Sequence, residues 1–380
     1  MSGCKIVKTV KLINDSLEET LDHLSNNDFI GFSNDHKALS HSKRYNALSQ
    51  RLHEDYHSQV GTGAMVADGG LLTDHGSDHI NTVINRAGQL IGCVDDGSSG
   101  ALRPYEIYLL LIAIHFHDLA NIFGRSDHEK RIDEMMDIVS QYLGDSVERR
   151  CIRKIACVHS GRINGDKDTI SWLERSEPIN GCDVRPQLLA GILRFSDELA
   201  DDRNRANRIL QALRKIPLGS EVYHKYAECL HSVMIRAKEK IIELTFEINV
   251  SDLTKKFGKK APSGRTKKVY LLDEIFKRNL KTHLERLYCN RYMSPVVNIR
   301  AIQVTINVIK TGQQIDEEMP VISYQLKEPE ERGYPQPPEN DIYGMCESLS
   351  KWDGGNKKIT GEMLAKSLRK EREGGGSKDA

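Results

Sequence analysis

The stretch Tyr105–Ile114 carries apolar residues on every side of a helix, and it runs directly into His115-Phe116-His117-Asp118. Proline is at home in the first turn of a helix, so Pro104 marks the start. A helix with no polar face cannot sit at a surface and must be wrapped by other elements. The chain therefore needs a core built around a central helix. Amphipathic stripes on either side supply the wrapping. Ile80, Val83, Ile84, Ala87, Leu90 and Ile91 recur at helical spacing. Two more helices are expected at about Asp127–Leu143 and Val147–His159, the second stopped by Gly161, and a last one at about Pro186–Ala200. The longest apolar run, Ile107–Phe116, is interrupted by His115 and falls short of 18 residues, which predicts no membrane-spanning helix.

After Pro217 the periodicity changes. A helix over Val222–Lys240 is predicted to lead into Ile242, Leu244, Phe246, Ile248 and Val250, which alternate with polar residues as in a half-buried strand. A helix stripe from Leu272 to Leu287 and a second alternating strand from Ile302 to Val308 follow. The expected organisation is an N-terminal helical extension over 1–50, a helical domain over 51–215, a small α+β domain over 216–327, and a Pro-rich, flexible linker and tail over 328–380. The fold class is mainly α. The Gly-Gly-Gly-Ser near the end is set aside from this reading.

Composition narrows the function classes. Lys+Arg and Asp+Glu both number 54, so the net charge is zero and the whole surface is not a nucleic-acid platform. The one basic cluster, KKFGKKAPSGRTKK at Lys255–Lys268, is expected to be a solvated loop. Phosphate-rich ligands or nucleic acid are a less favoured reading of it. Eight cysteines without a CxxC, and an N-terminus without an apolar signal segment, predict a cytoplasmic protein with reduced thiols. Histidine stands out: six of the 14 fall between His75 and His159. No P-loop, GxSxG or Rossmann fingerprint occurs.

Several of these histidines occupy positions that should be apolar. His128 shares a predicted helix face with Ile132, Met135, Met136, Val139 and Leu143, and His159 shares one with Ile155 and Ile152. Asp197 follows Leu193 and Leu189, His79 lies one turn before Val83, and His117-Asp118 ends the most apolar helix. Each has an ordinary explanation alone. An inward histidine is usually a hydrogen-bonded core residue, Asp197 has Arg194 and Arg185 as candidate partners, and Ser126-Asp127-His128-Glu129 fits a capping box. Together they are harder to explain that way, because inward carboxylates are costly unless paired or bound to metal. Four histidines and two aspartates arriving from successive helices form a nitrogen and oxygen ligand set for one or two divalent ions.

The order of these residues resembles the HD superfamily of metal-dependent phosphohydrolases: His79 in DHINTV, His117-Asp118 in HFHDLAN and Asp197 in LRFSDELADD. His128 in GRSDHEKR and His159 in ACVHSGR match the extra histidines of its two-metal members. The resemblance covers about 75–205. LTDHGSDHI and HDLANIFGR look like the branch associated with bacterial conflict and stress systems, which implies a role in antiviral defence. It implies a helical bundle and a metal set of His79, His117, Asp118, His128, His159 and Asp197. Asp118 would bridge two ions roughly 3.5–4 Å apart that activate water for attack on phosphorus. Manganese, iron, magnesium, nickel, cobalt and zinc all suit such a set. Asp118 and His128 fall at the catalytic centre, and Arg125 and Arg162, next to ligands in sequence, are candidates for holding phosphate, with Lys130 a third. His75 is an alternative to His79. His115 lies roughly 200° round the helix from His117 and is assigned to packing or to support of the site.

The expected activity is hydrolysis of a nucleotide or related phosphoester. Two alternatives stay open. A deoxynucleotide triphosphohydrolase is one, against which Asn121 stands where a second histidine usually follows the His-Asp pair. The other is a non-catalytic nucleotide sensor with a structural metal, signalling to a protein partner through the 216–327 domain.

Overall fold

The computed structural model describes residues 9–26, 40–60, 76–92, 102–123, 128, 131–201, 216–236, 238–261, 263–294, 296–310, 321–327, 341–351 and 357–374. The protein is mainly α with a smaller α+β part. The apolar stretch forms α4 (Pro104–Phe116), and all thirteen of its residues are buried. Around it pack α1 (Leu17–Asn26), α2 (His41–Leu52), α3 (Ser77–Gly92), α5 (Ile132–Ile138), α6 (Ser146–Cys157) and α7 (Pro186–Glu198). The segment Pro104–Phe123 is long and apolar enough to cross a membrane by composition, yet it is 89% buried inside this bundle, so its apolarity belongs to the core.

The N-terminal helices are an integral layer of the bundle: Leu17, Leu21, Tyr45, Leu48 and Leu52 are buried in the same core as α4. A buried carboxylate ties three helices together. Glu148 on α6 accepts from Arg44 Nη2 (2.6 Å) on α2 and from Tyr105 Oη (2.6 Å) and Tyr108 Oη (3.2 Å) on α4. Glu106 makes a second tie, accepting from the backbone N–H of Arg103 and from Arg185, just ahead of α7. Between α6 and α7 lies a two-stranded hairpin, β1 (Glu177–Ile179) and β2 (Cys182–Val184). Asn180 and Gly181 at its turn both have positive φ, as a tight hairpin turn of this hand requires.

Beyond the bundle, α8 (Glu221–Cys229) leads into a four-stranded sheet of order β3-β4-β7-β8: β3 (Leu230–Arg236), β4 (Ile241–Asn249), β7 (Ala301–Ile309) and β8 (Val321–Leu326). β4 and β7 are parallel and the outer pairs antiparallel. The crossover between the parallel strands contains a second hairpin, β5 (Lys256–Lys260) with β6 (Thr266–Tyr270), and the long helix α9 (Leu271–Met293). Two expectations are corrected here. The helix predicted over Val222–Lys240 ends at Cys229, and its second half is the edge strand β3. The basic segment Lys255–Lys268 is mostly hairpin, anchored where Gly258 lies against the Leu218 carbonyl so closely that a Cβ would sit 1.8 Å from it.

The stretch read as linker and tail carries more structure than its composition suggests. The one-turn helix Ile342–Met345 and α10 (Gly361–Gly374) return to pack beside α9, with a second one-turn helix, Glu347–Ser350, against the first. Ile342, Leu349, Ile359, Leu364 and Leu368 are buried there.

Candidate metal centre

Five short stretches of chain deliver six side chains to one place. His79 lies in the first turn of α3, and His117 caps the C-terminus of α4 with Asp118 next to it. His159 follows the end of α6 by two residues, and Asp197 lies in the last turn of α7. His128 precedes α5 rather than riding on it: the helix begins at Ile132 and breaks at Val139, shorter than the predicted Asp127–Leu143. All six belong to groups of donors whose atoms lie within 4.8 Å of one another.

The distances divide the cluster in two around Asp118. Its Oδ2 lies 3.7 Å from His79 Nε2 and 3.6 Å from His117 Nε2. Asp197 Oδ1 closes that side, at 3.2 Å from His79 Nε2 and 3.6 Å from His117 Nε2. The other oxygen, Oδ1, lies 3.2 Å from His128 Nε2 and 3.5 Å from His159 Nε2. The four histidine side chains are nearly or wholly buried, while that of Asp197 is 27% exposed, so the cluster opens to solvent beside Asp197.

The ring orientations explain what this arrangement can hold. His117 Nδ1 bonds the Ile114 carbonyl at 2.6 Å, and His159 Nδ1 bonds that of Ala156 at 2.7 Å. A carbonyl only accepts, so both Nδ1 atoms carry the proton, and in the neutral ring each Nε2 turns a lone pair toward the carboxylates. Lone pair facing anion is repulsive, and a cation between them reverses the sign. Without one, a proton does part of that work. Burial by itself lowers His117, but the Asp118 and Asp197 carboxylates outweigh it and push the ring up to about 9. His159 is lowered by burial, with His117 adding to the effect. Asp197 is held well below the usual carboxylate range: burial raises it, and hydrogen bonds from His117 and His79 overcome that. Metal–ligand bonds of about 2.1 Å imply ligand-to-ligand edges of about 3.0 Å for octahedral and 3.4 Å for tetrahedral coordination. The observed 3.2–3.7 Å separations are of that size. The donor set therefore fits a divalent ion on either side of Asp118.

Other predicted residues fall elsewhere. Arg162 is exposed and donates to the Gly165 carbonyl at 2.6 Å, held within its own turn. Arg125, Lys130 and His75 lie outside the described residues. His115 points away from the metal cluster, toward α2. Its Nε2 lies 3.2 Å from Tyr45 Oη and its Nδ1 lies 3.1 Å from His57 Nε2. Tyr45 in turn donates to Glu18 at 2.5 Å. Burial, then His53, His117 and His79, lowers His57 to about 3, so this second histidine group stays neutral behind the first. The sequence analysis did not single out His53 or His57; the local signal was their four-residue spacing, which places both on one helical face.

A helical bundle with His, His-Asp and Asp delivered from successive helix ends is an HD-type domain. The HD-CE family model matches residues 70–278, more than half of this 380-residue chain, and the chain belongs to the HD-CE family. The match runs past the bundle through the β5–β6 hairpin and into α9. No curated protein and no solved structure matches the chain.

Proposed function

We propose that this protein is a metal-dependent phosphohydrolase that acts on a nucleotide or related phosphoester, with His79, His117, Asp118 and Asp197 holding one divalent ion and Asp118, His128 and His159 a second. The observation that carries the reading is the division of labour at Asp118, whose two oxygens face two separate donor groups. When bound, such ions lower the pKa of a water to about 7 and neutralise charge on phosphoryl oxygens. The chain contributes the rest. Backbone carbonyls of Ile114 and Ala156 orient the His117 and His159 rings, and the histidine side chains are buried while that of Asp197 is partly exposed. We assign the holding of the phosphate to Arg162, on the turn after His159, a role that requires it to release the Gly165 carbonyl. The reduced cysteines support a cytoplasmic location, and the motifs around His79 and His117 support the conflict-system role.

The test is to strip the protein of metal, reload it with manganese, iron, cobalt, nickel, zinc or magnesium in turn, and assay mono-, di-, tri- and cyclic nucleotides. Metal-dependent release of phosphate or of a nucleoside monophosphate is expected. Release of inorganic triphosphate would assign it to the triphosphohydrolases instead. Nucleotide binding without turnover under every metal would make it a sensor.

A further inference from the structure

Asp197 occupies the least favourable position in the metal cluster. It lies in the last turn of α7, where the helix dipole gives the end a partial negative charge that disfavours carboxylates. Glu198 and Asp201 add two more acidic groups at the same end. Something outside the bundle must hold this end in place, and the structure shows what does. Helix α9 runs antiparallel beside α7 and grips it at successive turns. Arg194 and Glu285 form a bidentate pair, Nε–Oε2 at 2.7 Å and Nη2–Oε1 at 3.1 Å, with side chains only 5% and 7% exposed. Glu198 accepts from Lys281 Nζ at 2.6 Å and from Thr282 Oγ1 at 2.9 Å. Asp201 accepts from Arg278 Nη1 at 2.8 Å. Residues 194, 198 and 201 lie on one face of α7 and its continuation, and residues 278, 281, 282 and 285 on one face of α9. Further back, Gly191 lets the helices approach: a Cβ there would meet Met293 Cγ at 3.0 Å.

These grips bracket Asp197 from three residues before it to four residues after it. We infer that Arg278, Lys281 and Glu285 of α9 are positioning residues for the metal centre, fixing the Asp197 carboxylate against His79 and His117. This rests on Asp197 being a metal ligand, as proposed above. The α+β part of the molecule then belongs to the active centre, because α9 is the crossover helix of its sheet. Two cations on α9 also offset the crowding of carboxylates at the end of α7. The family match stops at Arg278, so Lys281 and Glu285 lie beyond it.

The experiment compares Arg278→Gln, Lys281→Gln and Glu285→Gln in the full chain with Arg278→Lys and Lys281→Arg. Each is titrated with Mn²⁺ by calorimetry and loaded with Co²⁺ for its visible absorption spectrum, after circular dichroism confirms the fold. Groups that hydrogen-bond metal ligands directly typically contribute on the order of 10–100-fold in affinity. These three act one step further out, through Arg194, Glu198 and Asp201, which places their effect at the low end of that range. We expect the three glutamine variants to bind the ion on the Asp197 side about 10-fold more weakly, with a shifted Co²⁺ band. The two conservative variants should stay close to wild type. Should Glu285→Gln fail to fold, the more exposed Arg278 and Lys281 sites carry the comparison. Asp197→Ala is the control for the underlying reading. If it loses an ion while the folded glutamine variants keep wild-type affinity and spectrum, the positioning role is refuted. If Asp197→Ala itself keeps both ions, the ligand assignment fails and the inference falls with it.

Discussion

His117 shows how a candidate metal ligand behaves without an ion. In metal-free protein the fold favours its protonated ring, raised from 6.5 to about 9 by Asp118 and Asp197 against the opposing effect of burial. That contribution to stability is fully present below pH 6.5 and is lost as pH rises through about 9. His57 has the opposite sign. Its folded value is lowered to about 3 by burial and neighbouring histidines, so folding becomes costlier as pH falls from 6.5 toward 3. Chelated protein should therefore melt highest near neutrality and lose stability on both sides, which thermal melts across pH 5–10 would show. Bound metal should remove the alkaline fall, since a ligating ring has given up that proton. A melting temperature that rises steadily from pH 6.5 to 9 without metal would contradict this account of the cluster. For Arg162, replacement by alanine should lower kcat/KM on the order of 10²-fold with metal content unchanged, as for one lost electrostatic contact. Wild-type kinetics would make it a surface charge. The six candidate donors stood out in the sequence because they fall on or beside apolar helical stripes, and a polar residue on a buried face needs a reason. The fold brings all six together, although His128 lies ahead of α5 and His159 just past α6. His57 was not, because its significance depends on α2 lying against α4, a contact that no local periodicity encodes.

Elements whose burial follows a clean period were read correctly, and the misreadings have structural causes. β4 alternates throughout and β7 from Ile302 onward, and both were found. β3 does not alternate: a register shift between Leu230 and Ser232 breaks its pairing with β4. Its burial pattern then repeats about every third residue and imitates a helix. The β5–β6 hairpin had no apolar alternation to betray it, since five of its ten strand residues are exposed and its strands are joined by backbone pairing. Glu148 gives a test at this scale, because α2, α4 and α6 all bond its carboxylate. Glu148→Ala leaves Arg44 and two tyrosine hydroxyls without their acceptor and should destabilise the protein by about 3–5 kcal/mol, the usual cost of breaking a buried pair. Denaturant unfolding measures it, and a loss under about 1 kcal/mol would mean that water replaces the carboxylate freely.

At the scale of the whole molecule, the bundle supplies the candidate donors and, on our inference, the α+β part braces them through α9. The C-terminal helices complete that brace. Arg369 on α10 donates to the Thr254 carbonyl, and the Gly361 N–H donates to Asp273 on α9 at 2.8 Å. Proline content made this region read as a tail, because composition reports the linker and not the apolar residues that follow it. A chain ending at residue 340 should expose the surfaces that cover Ile359, Leu364 and Leu368 and lose several kcal/mol, at up to about 1.5–3 kcal/mol per buried side chain. An unchanged melting temperature would show α10 to be dispensable. The division of the cluster at Asp118 is tested most directly by elemental analysis of protein purified without chelator, wild type beside Asp118→Ala and His128→Ala. Two sites sharing one carboxylate predict about two divalent ions per chain in wild type, about one in His128→Ala, and close to none in Asp118→Ala. One ion per chain in wild type, unchanged by His128→Ala, would contradict it.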